Sequence, residues 1–85
     1  MLHIGLQLVR STTSGGANFE EARRAESRND FVHKVAIASK ELAESLYWLR
    51  VISRLSMSAE ANALMIETEA LLKILVASAR TARSR

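Results

Sequence analysis

At 85 residues the chain has room for one small domain, which buries about 60–65% of its unfolded surface. With no cysteine, neither disulfides nor a thiolate zinc site can reinforce it, so it depends on well-packed elements or on association with copies of itself. Twelve Lys and Arg against nine acids give a net charge of +3, basic without being extreme, and no apolar run approaches the roughly 20 residues that span a bilayer.

The opening MLHIGLQLV has no basic leader and no small-residue cleavage site, so the cytoplasm is the expected compartment and no membrane is expected as a partner. Leu2, Leu6 and Val9, with Ile4 and Leu8, form one apolar helical face. The same period carries Thr13, Gly16 and Ala17 onto that face, and Ala22 to its edge, so the face turns small. Small residues let two helix backbones approach closely, and hydroxyls among them bond to the preceding turn or to a neighbour. The stretch RSTTSGGANFEEARR is therefore read as helix through Ser14 to Ala17, with Gly15 and Gly16 as the place for a kink. The pattern gives a phosphate-binding loop only weak support. Gly16 is followed by Ala17 and Asn18 in place of Lys and a hydroxyl residue, and no strand precedes the glycines.

The second helix opens at SRND, where Ser27 caps and Asp30 sits in the first turn. Phe31, Val35, Ala38, Leu42, Ser45, Leu49 and Ile52 recur at alternating steps of four and three, a seam facing other helices. A second stripe through Ile37, Glu41, Glu44, Trp48 and Val51 is half polar, so two contacts are expected, one apolar and one mixed. About 27 residues make a rod of roughly 40 Å. The connector SMSAEA offers Ser56 or Ser58 as the cap of a third helix, with Glu60 in its first turn. That helix carries Ala63, Ile66, Ala70, Ile74 and Ala77, flanked by Leu64, Leu71 and Leu75, and closes on Arg80 and Arg83 at the negative end of its dipole. The expected architecture is all-α: one domain over residues 1–85, an antiparallel up-and-down bundle with helices near 2–25, 28–55 and 59–82 and a basic tail.

Catalytic and metal chemistry find little support. His33 has Asn29, Asp30, Ala36 and Ile37 at helical spacing, which leaves it a surface histidine. Glu41, Glu44, Glu67 and Glu69 resemble the carboxylates of di-metal bundles, but no Glu here has a His three residues later. Glu41 and Glu44 are expected to pair with Lys40, Lys34 or a basic residue of a neighbouring helix. Tyr47 and Trp48 read as core or interface aromatics. Asn18 and Glu21, set among small residues, read as a buried hydrogen-bonded cluster that fixes helix register. No nucleophile, base and orienting group occur together, so no enzyme, cofactor, metal or small-molecule substrate is expected.

The run from Ile4 onward resembles the bacterial four-helix-bundle proteins named for reading frames in intervening sequences of 23S ribosomal RNA genes. The likeness rests on Arg10, Ser11, Ser14, Gly16, Ala17, Asn18, Glu21 and Ala22. It continues through Ser27, Asp30, Phe31, Lys34, Ile37, Ala38, Lys40, Glu41, Glu44, Tyr47, Trp48 and Leu49, and EALLKILVASARTAR is similar to the family's last helix. The resemblance implies a left-handed bundle and, in relatives, a ring-like homopentamer. A more distant likeness is to the basic, nucleic-acid-binding accessory protein of diversity-generating retroelements. Members usually begin with another long helix ahead of the counterpart of Ile4. The expectation here is three helices of a four-helix pattern, a groove where the other helix packs, and self-association. Function is expected in a helical assembly module whose basic rim, Arg80, Arg83 and Arg85, contacts RNA, DNA or a nucleic-acid-processing partner; the alternative is a structural interaction module with no affinity for nucleic acid.

Overall fold

The absence of proline and the abundance of Ala, Leu, Glu and Arg favour helix throughout, and helix is what forms. A computed structural model describes residues 2–56 and 58–84; Arg85, the last of the tail arginines, lies outside the described residues. Three helices follow one another: α1 (Leu2–Arg23), α2 (Arg28–Ser56) and α3 (Ala59–Ser84). The expected all-α bundle is therefore the fold.

Helix ends follow from local chemistry. Arg24 and Ala25 donate their amides to the carbonyls of Glu21 and Ala22, a tightening to three-residue bonds that closes α1. Ser27 then accepts the amide of Asp30 on its hydroxyl, at 3.0 Å, and starts α2 as a cap. At the other turn Ser58, not Ser56, is the cap: its hydroxyl accepts the amide of Ala61 at 3.2 Å. Ser56 ends α2 instead, donating back to the carbonyl of Ile52. The doublet Gly15–Gly16 leaves α1 helical throughout.

Both outer helices pack against α2, and among the described residues no α1–α3 backbone pairing accompanies these two contacts. The outline, 43 × 20 × 13 Å, fits this arrangement. Three helices spaced about 8–10 Å apart in a triangle would be nearly as thick as they are wide. Here α2 stands at the corner of an L, with α1 and α3 along its two arms. The core is Ala22, Val35, Ala38, Leu75 and Ala79, with Phe31 and Leu42 packed against it. Leu46, Leu49 and Ala61 are also buried.

The seam expected along α2 is the one used, Val35, Ala38, Ser45 and Leu49 being buried. The outer helices depart from expectation. On α1 the buried small residues are Ser11, Gly15 and Ala22, while Thr13, Gly16 and Ala17 are exposed, as are Leu6 and Val9. The stripe that starts at Leu6 turns away from α2, and Gly15 is the glycine that faces α2 closely. A Cβ built there would lie 3.4 Å from the Cβ of Glu41 and 3.6 Å from the carbonyl of Ala38. On α3 the inward residues are Ala61, Leu75 and Ala79. The expected stripe Ala63, Ile66, Ala70, Ile74 and Ala77 is exposed along its whole length. Among the described residues no helix is long and apolar enough to cross a membrane.

Candidate functional site

Three regions carry polar chemistry. The first is the α1–α2 contact, where Ser11 and Ser45 are both fully buried and their hydroxyls lie 2.8 Å apart. Each also reaches a carbonyl of its own helix, Ser11 that of Leu8 at 3.2 Å and Ser45 that of Glu41 at 3.0 Å. Two hydroxyl protons serve three contacts, so the pair shares its donors, and among the described residues no buried side-chain polar atom lacks a partner. The register-fixing cluster expected around Asn18 and Glu21 is thus formed by Ser11 and Ser45. Asn18 is half-buried and donates its amide back to the carbonyl of Ser14 at 2.9 Å, and Ser14 itself is half-buried. Glu21 is exposed and accepts a bond from Nζ of Lys34 at 2.7 Å. That bond, with the charge beside it, holds the Glu21 carboxyl below the usual carboxylate range and the Lys34 ammonium above its ordinary value.

The second region lies beside the serine pair on the same contact, where Arg10 adjoins Ser11 and Glu44 adjoins Ser45. Arg10 bridges Glu41, at 3.4 Å, and Glu44. The indole of Trp48 donates to the same Glu44 at 3.2 Å. Tyr47 meets Trp48 edge-on, with ring centroids 4.9 Å apart. Glu41 and Glu44 thus find their basic partner on the neighbouring helix. Tyr47 is not part of the core of the chain: it is 55% exposed, on the side of α2 away from the buried seam. Trp48 is half-buried.

The third region is the end of the bundle where α2 begins and α3 finishes. Arg28, Asn29, Val32, His33, Ala36 and Arg83 line one shallow depression of about 530 Å³. Arg28 also borders a second hollow, with Phe31, Ser78, Thr81 and Ala82. Arg80 lies one turn before Arg83 and lines the outer surface of α3 with Lys73. Acids are nearby, but on the other side of α2. Glu20 pairs with Arg23 at 3.2 Å and Glu21 with Lys34, and both glutamates share a separate hollow with Arg24, Glu26 and Asp30.

Sequence reasoning found Arg80 and Arg83 but missed that Arg28 and His33 join Arg83. The signal was available. Two antiparallel helices joined near residue 57 bring positions together when their numbers sum to nearly the same value. The Ser53–Asn62 hydrogen bond of 2.7 Å shows that register at the other end. Gly16 lines an apolar hollow of about 230 Å³ between α1 and α3, with Thr12, Gly15, Phe19, Leu42, Leu71 and Leu75. Among the described residues no group of three His, Cys, Asp or Glu side chains is placed to hold a metal ion.

Likeness to known proteins agrees with this architecture. A crystal structure of a protein with unknown function from the S23 ribosomal protein family, from Bacteroides thetaiotaomicron VPI-5482, is 36% identical and superposes with a TM-score of 0.82. The match covers 89% of this chain and 72% of that one. None of the curated proteins matches. The model of the 23S rRNA-intervening sequence protein family matches residues 2–77. That match takes in all of α1 and α2 and most of α3, and the chain belongs to this family.

Proposed function

We propose that this protein is a non-catalytic, cytoplasmic assembly module whose basic end engages the phosphate backbone of RNA or DNA. The observation that carries the reading is the convergence of Arg28 and Arg83 on one depression with His33 and Asn29. Arginine and asparagine side chains donate hydrogen bonds to phosphate oxygens without reading bases. Glu20 and Glu21, which would weaken the local field, are engaged with Arg23 and Lys34 on the α1 side. The depression is shallow and open, suited to an extended polyanion and too exposed to exclude water from a reaction.

The test is salt dependence. Fluorescence anisotropy with labelled single-stranded RNA and with duplex DNA should show binding that weakens steeply as salt rises, almost independently of base sequence. Each neutralised phosphate contributes a slope of about 0.7 to 0.9 in log affinity against log salt. The triple variant Arg28→Ser, Arg80→Ser, Arg83→Ser should lower that slope by about 2 with helix content unchanged, since all three side chains are exposed. Absence of binding to either polymer at low salt overturns the reading. It would leave a purely structural interaction module, which the exposed stripe on α3 favours.

A further inference from the structure

We infer that the nucleic acid engaged by this protein is single-stranded and runs along α2, stacking a base on Tyr47. The inference rests on the phosphate-binding reading above and names the polymer and the track it follows.

His33, Lys40, Tyr47 and Arg54 stand at seven-residue spacing on α2, and all four are exposed. Seven residues are nearly two turns, with a drift of about 20° at each step, so the four side chains form one line along the helix. At 1.5 Å per residue that line is roughly 32 Å long. It starts in the depression that His33 shares with Arg28 and Arg83, and so continues the basic end. Among the described residues neither Lys40 nor Arg54 forms an ion pair. The acids bordering the line are engaged or turned aside. Glu69 of α3 meets Arg50 at 4.0 Å, and Glu44 is held by Arg10 and the Trp48 indole. Asp30, a turn before His33, lines the hollow on the α1 side.

Phosphate contacts alone would need only the cations. Tyr47 adds an aromatic between two of them, and its ring is 55% exposed. The ring is nevertheless held: Trp48 meets it edge-on, with centroids 4.9 Å apart and planes at 71°. Trp48 is held in turn, its indole donating to Glu44 at 3.2 Å, and Arg10 ties Glu44 to α1. The network thus has a task besides aligning α1 on α2, which is to fix an open aromatic ring. A ring ordered beforehand loses little freedom when a base stacks on it. Every base has a π-face, so the contact tolerates any sequence. Bases of a single strand can splay out to reach such a ring, whereas those of a duplex are stacked on one another. A duplex would meet the cations and gain nothing from Tyr47.

The test uses fluorescein-labelled oligouridylate and oligothymidylate of about 12 nucleotides, inside the range of roughly 4–16 that single-strand sites span, and a mixed-sequence duplex of the same length. In anisotropy titrations of the full chain at low salt, both single strands should bind about tenfold more tightly than the duplex, the worth of one stacked base. Tyr47→Ala should weaken single-strand binding by that same factor and leave duplex binding and the salt slope unchanged. Tyr47→Phe, which keeps the ring, should bind like the natural chain. Lys40→Ser with Arg54→Ser should lower the single-strand salt slope by about 1.4, at about 0.7 for each phosphate released. All three positions are exposed, so circular dichroism should show helix content unchanged in every variant. Equal affinity for strand and duplex, indifference to Tyr47→Ala, or a loss in Tyr47→Phe equal to that in Tyr47→Ala would overturn this inference and leave the basic end standing as a phosphate site. Absence of binding to any of the three probes would overturn both readings.

Discussion

The two faces of α2 are built on different principles. Towards α1 it presents small and polar groups: the Ser11–Ser45 pair, the close approach at Gly15, and ion pairs from Arg10 to Glu41 and Glu44 and from Lys34 to Glu21. Towards α3 the contact is mainly apolar, with Leu75, Ala79 and Ala61 buried. Its polar links are the Ser53–Asn62 bond and an exposed Arg50–Glu69 pair at 4.0 Å. The apolar face supplies burial and tolerates sliding by small amounts, since hydrophobic contact is not directional. The polar face supplies less burial, but each of its contacts demands a particular register. A three-helix chain of this size needs both, one for stability and the other for a single alignment.

If that division holds, the largest single loss comes from the apolar face. Leu75 is 3% exposed and belongs to the core cluster that also contains Ala22 of α1. Leu75→Ala should cost about 2–5 kcal/mol, the transfer of the side chain plus the cavity it leaves. That is a large part of the total for a domain of this length, about 4–13 kcal/mol at typical stability per residue. Urea titration monitored by circular dichroism reads the loss directly. A change below about 1 kcal/mol would mean that the α2–α3 contact collapses around the gap and is not the main source of stability.

A smaller effect, and a sharper one, belongs to the polar face. Ser45→Ala removes one hydroxyl from a buried pair, but Ser11 keeps its bond to the carbonyl of Leu8. The cost should be about 1 kcal/mol, that of an ordinary hydrogen bond, and not the full penalty of an orphaned polar group. Because the two hydroxyls act together, the double variant with Ser11→Ala should cost little more than either single change. Strict additivity in such a cycle would show that the serines contribute separately, through their own helices.

The same division explains what the sequence disclosed. The α2 seam was legible because both its sides are covered, so every residue at the 3–4 spacing, from Phe31 to Ile52, is buried or half-buried. The caps at Ser27 and Ser58 were legible because capping is local chemistry. The outer helices were not. Their strongest stripes, through Leu6 and Val9 on α1 and through Ile66 and Ile74 on α3, face away from α2. Periodicity reports that a face is apolar and is silent on which partner covers it. Close approach on α1 is decided by one glycine of a doublet, and the choice of Gly15 over Gly16 depends on where α2 lies. The basic end was half visible for a related reason. Arg80 and Arg83 stand near each other in sequence, whereas Arg28 and His33 join Arg83 through the antiparallel register.

The smallest expected effect tests whether the polar face has an electrostatic component as well as a geometric one. The Glu21 carboxyl is depressed in the folded chain, first by the hydrogen bond from Lys34 and then by its charge. Its contribution is therefore fully present above the unfolded carboxyl value of about 4.3 and is lost as pH falls through the lower folded value. Lys34 is raised by the same bond. Its contribution is present below the unfolded ammonium value of about 10.4 and is lost as pH rises through the higher folded one. The pair thus adds a plateau of stability from mildly acid to mildly alkaline pH, with a decline at each end. Because Glu21 is 58% exposed, solvent screens the pair and the plateau should be low. Comparing Glu21→Gln with the natural chain across pH separates this from the background of other carboxylates. The difference in melting temperature should be small and constant near neutrality and should vanish at both extremes. A difference that persists unchanged into acid would assign the contact to shape and hydrogen bonding alone, and the charge at position 21 would then play no part in aligning α1 on α2.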